Sequence, residues 1–150
     1  MPHKKIINNI YLGNYYDSLN SKFINDFEMI INCSKDLPFN NNIKNDTKKI
    51  RLSINDDLTI KSNTELYNNL NYITSIIHNY RNDNKKIFIY CYAGKQRSPS
   101  VIAAYLIKYY NFSINEAINF IKLKNYNTFS PKPNFYNSLH KFYKLKDNYL

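Results

Sequence analysis

The chain has no tryptophan, and only two glycines and two cysteines among its 150 residues. Two cysteines are too few for the disulfide framework of a small secreted domain, and they point to a reducing compartment. His3, His78 and His140 are scattered, and no His/Cys cluster has metal-ligand spacing. Neither a metal nor a cofactor is therefore expected. No apolar run is long enough to cross a bilayer, and Met1-Pro2-His3-Lys4-Lys5 lacks the apolar core of a secretory leader. A cytoplasmic or nucleocytoplasmic setting follows. Acidic residues are also scarce, 11 against 21 Lys and Arg, for a net charge of +10. That balance favours acidic partners. The charge is spread as single lysines and short pairs, without a basic run interleaved with aromatics, so no dedicated nucleic-acid face is expected. What is abundant is Asn, Lys, Ile and Tyr. These share A/T-rich codons, a bias of genome more than of function. The length suits one domain, residues 1–150, with a real core.

Arginine is rarer still by comparison with lysine: only Arg51, Arg81 and Arg97. One of the three falls in the stretch Ile87-Phe88-Ile89-Tyr90-Cys91-Tyr92-Ala93-Gly94-Lys95-Gln96-Arg97-Ser98. An apolar β-prone run ends in a cysteine, a short loop with glycine follows, and the pattern past Ser98 is helical. Backbone N–H groups of such a loop, over residues Tyr92, Ala93, Gly94, Lys95 and Gln96, converge with the free N–H groups of a helix N-terminus and bind a phosphate. The same field stabilises a thiolate. Gly94 allows a backbone turn that a Cβ would obstruct. Arg97 offers a planar fork for two phosphate oxygens, a task for which Lys is a poor substitute. Ser98 is placed to hydrogen-bond the sulfur. The competing reading is a buried structural cysteine beside a solvated arginine. The use of a scarce Arg at this position argues against it. The pattern is that of cysteine-dependent phosphate-ester hydrolysis. Cys33, in Met29-Ile30-Ile31-Asn32-Cys33, reads as a buried strand residue.

Strand and helix signals alternate through the first two-thirds of the chain. Strands are expected at Lys5 to Leu12, Phe27 to Cys33, Ile50 to Ile54 and Ile87 to Tyr90. A short helical region is expected from Tyr15 to Phe27. Ser62-Asn63-Thr64-Glu65 reads as a capping box opening a helix through Leu66, Leu70, Ile73 and Ile77, with a turn at Arg81 to Lys86. Ser98 to Tyr110 is a buried helix. Ser113-Ile114-Asn115-Glu116 opens another, to about Lys124. After Ser130-Pro131-Lys132-Pro133, a last helix runs from about Asn134 to Lys144. The fold expected is α/β: a mostly parallel twisted sheet flanked by helices, with the phosphate loop at the carboxyl end of a central strand.

The motif and its surroundings resemble the small dual-specificity protein phosphatases of the cysteine-dependent tyrosine phosphatase superfamily. Their loop reads H-C-x-x-G-x-x-R-[ST]; here it is Tyr90-Cys91-Tyr92-Ala93-Gly94-Lys95-Gln96-Arg97-Ser98. Asn9-Ile10-Tyr11-Leu12-Gly13 resembles "NLYLG", and Ile30-Ile31-Asn32-Cys33-Ser34 resembles "VINVS". Arg97 followed by Ser98-Pro99-Ser100-Val101-Ile102-Ala103-Ala104-Tyr105-Leu106 is similar to "RSPTVVIAYLM". Ser130-Pro131-Lys132-Pro133-Asn134-Phe135 is similar to "SPNPGF". The compact length is similar to that of stand-alone members, including poxvirus-encoded ones, which would set the protein in a host cell or a virion.

The resemblance implies a phosphoprotein substrate and a phosphocysteine intermediate on Cys91, with Arg97 binding phosphate and an aspartate acting as general acid. In Leu52-Ser53-Ile54-Asn55-Asp56-Asp57 it places the acid at Asp56, with Asp57 in reserve. It also leaves a homodimer open. The absence of long insertions implies a shallow cleft and activity on phosphotyrosine and on phosphoserine and phosphothreonine. Tyr90 stands where the family has His, so a higher thiol pKa and slower catalysis are expected, and a phosphate-reading protein without turnover is the alternative. Lys95 adds a cation that either serves multiply charged substrates, such as phosphoinositides or an RNA 5′-phosphate, or faces solvent.

Overall fold

A strand with no polar interruption has to be covered on both faces. Ile87–Cys91 is such a strand, buried at every residue, and it lies at the centre of the sheet. The computed structural model describes residues 3–146. Met1-Pro2, part of the leader reading, lies outside those residues, as do the last four residues of the expected domain. The elements in order are β1 (Lys4–Ile7), β2 (Ile10–Asn14), α1 (Tyr15–Ser18), α2 (Ser21–Ile24), β3 (Met29–Asn32), β4 (Lys48–Arg51), α3 (Ile60–Asn82), β5 (Ile87–Cys91), α4 (Arg97–Tyr109), α5 (Ile114–Lys124) and α6 (Tyr136–Leu145). The sheet order is β1-β2-β5-β3-β4. Only the β1–β2 pairing is antiparallel; β2–β5, β5–β3 and β3–β4 are parallel.

Side chains alternate across a strand, so the inner strands β2, β3 and β5 each face two cores. Ile87, Ile89 and Cys91 join Ile10, Leu12, Met29, Ile31 and Cys33 in the larger core. It is roofed by Leu66, Leu70 and Ile73 of α3, nearly all of α4, Ile121 of α5 and Leu139 of α6. Phe88 and Tyr90 point the other way, into a smaller layer with Ile24, Phe27, Ile30 and Ile43. The α/β class and the mostly parallel sheet are as the pattern implied.

Several boundaries differ. The run Lys5 to Leu12 is a hairpin, turned by Asn9 at φ 70°. The helical region after Tyr15 is two short helices, because Asn20 caps a second one by accepting from Phe23 N at 3.0 Å. The strand expected at Ile50 to Ile54 ends at Arg51; Leu52 and Ile54 stay buried, but the Ile54 N–H donates to Leu52 O at 2.9 Å in a tight turn. The capping box at Ser62–Glu65 is a correction. Helix α3 starts earlier, at Ile60, and Thr59 is its cap, accepting from Ser62 N at 3.2 Å. Ser62 Oγ donates instead to Asp57, and Glu65 accepts from Asn55 N at 3.0 Å and pairs with Lys35 at 3.1 Å. Two acceptors upstream won the serine. The box at Ser113 and Glu116 forms as expected.

Candidate active site

Cys91 ends β5 on the face toward α4, and it is 1 % exposed. Its Sγ lies 3.2 Å from Ser98 Oγ. The loop between them turns at Gly94, whose φ of +69° is left-handed backbone that L side chains avoid. A Cβ there would sit 2.8 Å from the carbonyl oxygen of Gly13. Gly13 is equally confined: its own Cβ would lie 2.7 Å from the Phe88 ring. Gly94 thus serves the close approach of the loop to β2, and Gly13 makes room for the Phe88 ring and the Asp17 carboxylate. The Tyr15 N–H donates to Tyr92 O at 3.1 Å and pins the loop's first turn. Helix α4 begins at Arg97 with Gln96 as N-cap, and no side chain caps it. Its first N–H groups are left for an anion.

Arg97 is buried. Its guanidinium donates to Ile54 O at 3.1 Å, and Nε has no hydrogen-bond partner among the described residues. An unpaired buried guanidinium donor is costly unless it receives an anion. Nε lies 3.7 Å from Asp56 Oδ2, and Asp56 Oδ1 is 3.5 Å from Asn134 Nδ2. Asp57, one residue on, takes no part in this cluster. It accepts from the Thr59 and Ser62 hydroxyls and from Thr59 N. Those bonds lower its pKa to about 2. The structure brings Asp56, not Asp57, to Arg97.

The rest of the loop divides by role. Tyr92, Ala93 and Lys95 are exposed, so the Lys95 side chain faces solvent, while its carbonyl accepts from Phe129 N at 2.7 Å. Gln96 is buried and its side chain turns away from the anion seat. It donates to Ser130 O at 3.2 Å and Lys132 O at 3.0 Å, and accepts from Asn134 N at 2.9 Å. Tyr90 is fully buried on the opposite face from Cys91. Its hydroxyl has no hydrogen-bond partner among the described residues, and burial raises its pKa to about 12. It therefore stays neutral and supplies no cation. Cys33 is buried beside this site, and burial, with Cys91 adding to it, pushes its thiol pKa well up.

A cleft of about 170 Å³ opens over Arg97, lined also by Ser34, Lys35, Leu37, Asn55 and Tyr92. The reading of the sequence missed the Ser34–Leu37 wall. Arg51 shapes it, donating to Ser34 O at 2.9 Å and to Leu37 O at 2.7 Å. These bonds end on backbone carbonyls, which carry no mark in a sequence. The rarity of Arg51 was the one available signal. Asn134 entered only as part of the stretch similar to "SPNPGF" and as the start of the last helix.

A buried thiol under an uncapped helix N-terminus, beside a guanidinium with an unpaired donor, is the arrangement of a cysteine-dependent phosphatase. The dual specificity phosphatase catalytic domain matches residues 10–145, and the chain belongs to that family of protein phosphatases. It is 32 % identical over 124 residues to the 123R protein of Invertebrate iridescent virus 6, which carries the name of a tyrosine phosphatase, covering 83 % of this chain and 80 % of that one. It is 29 % identical over 137 residues to human dual specificity protein phosphatase 16, covering 90 % of this chain but 20 % of the relative. The chain thus spans most of the viral relative and about a fifth of several longer cellular ones. The crystal structure of human DUSP28 superposes with a TM-score of 0.84 at 17 % identity, covering 98 % of this chain and 96 % of that one. Among the described residues, no helix is long and apolar enough to cross a membrane.

Proposed function

We propose that this chain hydrolyses phosphotyrosine and phosphoserine or phosphothreonine in proteins, through a phosphocysteine on Cys91. The observation that carries the reading is the buried Arg97 guanidinium at the end of the Cys91 loop, whose Nε has no hydrogen-bond partner among the described residues and faces Asp56 at 3.7 Å. In the first step the Cys91 thiolate forms an S–P bond as the ester P–O bond breaks. Asp56 gives its proton to the leaving oxygen. Arg97, the loop N–H groups and the start of α4 hold the phosphoryl oxygens as charge builds on them. In the second step the Asp56 carboxylate takes a proton from water, whose oxygen attacks phosphorus. The Ser98 hydroxyl, 3.2 Å from the sulfur, hydrogen-bonds the departing thiolate. The small cleft, about 170 Å³, and the absence of long insertions support a substrate range that includes the shorter phosphoserine and phosphothreonine. A mechanism that needs a free thiolate belongs in a reducing compartment.

The test is phosphate release from matched phosphotyrosine and phosphothreonine peptides between about pH 5 and 8. Turnover of both is expected, abolished in Cys91→Ser. Asp56→Asn is expected to slow the phosphothreonine peptide by about a hundredfold, within the range usual for losing a general acid, while Asp57→Asn retains turnover. Phosphopeptide binding without turnover in the native chain would overturn the reading.

A further inference from the structure

The Gln96 side chain spends its hydrogen bonds on the 130–134 segment, not on the anion seat. Its amide oxygen holds Asn134 N at 2.9 Å, and its amide N–H groups hold the carbonyls of Ser130 and Lys132. Asn134 O accepts in turn from Asn63 Nδ2 of α3 at 3.4 Å. The Asn134 backbone is therefore fixed on both sides, by the phosphate loop and by α3. Its side chain extends to Asp56, with Nδ2 at 3.5 Å from Oδ1. The other oxygen, Oδ2, faces Arg97 Nε at 3.7 Å. The two carboxylate oxygens thus have different neighbours.

An amide N–H donates to a carboxyl oxygen lone pair, so it holds the side chain in place whether or not the group carries its proton. We propose that Asn134 is a positioning residue for the general acid: it fixes Asp56 through Oδ1 while Oδ2 faces Arg97. This rests on the reading of Asp56 given above. In the first step the Asp56 proton passes to the ester oxygen as its bond to phosphorus breaks. In the second, the Asp56 carboxylate receives a proton from water. Gln96 is the brace that carries Asn134 to this place, so the loop holding the nucleophile also sets the acid. The motif "SPNPGF" has glycine at the position of Asn134, so the contact belongs to this chain's own sequence.

The experiment compares native protein with Asn134→Ala and the isosteric Asn134→Asp on two substrates. A good leaving group needs little help from an acid; an alkoxide needs much. Both variants are expected to lose about tenfold in kcat on a phosphothreonine peptide while staying within about twofold on 4-nitrophenyl phosphate, a fraction of the full worth of an acid catalyst. Equal loss on both substrates, or no loss on either, would overturn the assignment. A second readout does not depend on turnover. In the Cys91→Ser protein, the Asn134 side-chain amide proton resonances should move as pH is lowered and the carboxylate they contact takes up a proton. The movement should vanish in Asp56→Asn and persist in Asp57→Asn. Its absence from the Cys91→Ser protein sinks the proposal. If native protein shows no Cys91-dependent turnover, the phosphatase reading fails by itself, and the amide titration still decides whether Asn134 holds Asp56.

Discussion

One peptide bond separates Asp56 from Asp57, yet the two carboxylates sit in different surroundings. Asp56 reaches Arg97 and Asn134, while Asp57 is absorbed by the first turn of α3. Adjacent side chains point in different directions, and here that gives the two carboxylates different partners. Tyr90 is the other instructive residue. Its ring fills the small layer against Phe88, with centroids 5.5 Å apart, and its hydroxyl is buried without a hydrogen-bond partner among the described residues. A buried hydroxyl with no partner stabilises nothing. Tyr90→Phe is therefore expected to leave turnover unchanged and to keep stability unchanged or raise it by up to about 1 kcal/mol. Urea unfolding of the two proteins side by side checks this, and a loss of more than about 1 kcal/mol would show a bond that the structure does not contain.

At the scale of elements, the start of α3 is held by a carboxylate. Asp57 accepts three hydrogen bonds from Thr59 and Ser62 ahead of the first turn, where a negative charge also meets the positive end of the helix. Its pKa falls from 3.8 to about 2 on folding. A depressed carboxylate pKa adds stability that is present above the unfolded value and is lost as pH falls through the folded one. The contribution should thus be intact above about pH 4 and gone near about pH 2. The expected outcome is that the thermal midpoint of the native chain drops more steeply across that window than that of Asp57→Asn. Parallel curves would remove Asp57 from the account. The position matters for function, because the chain from Leu52 to Asp57 is tied at one end by Arg97 to Ile54 O and at the other by this cap.

The whole molecule is organised around β5 and α4. Helix α4 is buried from Arg97 to Lys108 and packs on α3, α5 and α6 as well as on the sheet. The phosphate loop hangs between two elements that have no exposed face, which is why it can hold a left-handed residue and an uncapped helix start. A cavity in that helix should be felt by every element at once. Leu106→Ala, at a fully buried position, is expected to cost about 2–5 kcal/mol. The loss should appear as a single urea transition, coincident by far-ultraviolet circular dichroism and tyrosine fluorescence. The folded fraction should keep its kcat. Two separated transitions would mean that the sheet and the helical layer unfold independently.

The chemistry of the site was legible because it is written in short-range sequence: a strand ending in Cys91, a five-residue loop, Arg97 and a helix. The parallel sheet was legible too, since apolar runs without alternation demand cover on both faces. What the sequence left open was which atoms meet across the fold. The Ser62 capping box failed because Asp57 takes the Ser62 hydroxyl and Thr59 caps the helix by accepting from Ser62 N, and local pattern does not rank such competitors. Nothing local marks Arg51 as the shaper of the cleft wall or Gln96 as the brace of the 130–134 segment, because both bond to backbone carbonyls far along the chain. The choice of Asp56 over Asp57 came from the resemblance to a family, and the structure adds its surroundings: the carboxylate that meets Arg97 is set by the Ile54 anchor, the α3 cap and Asn134 together. The sequence by itself determined the phosphatase family, the placing of the Cys91–Arg97 loop between a strand and a helix, and the mostly parallel sheet, because those follow from residue type and periodicity. Only the tertiary structure decided how each acidic, amide and guanidinium group is paired, because pairing depends on distances between segments that lie up to 78 residues apart.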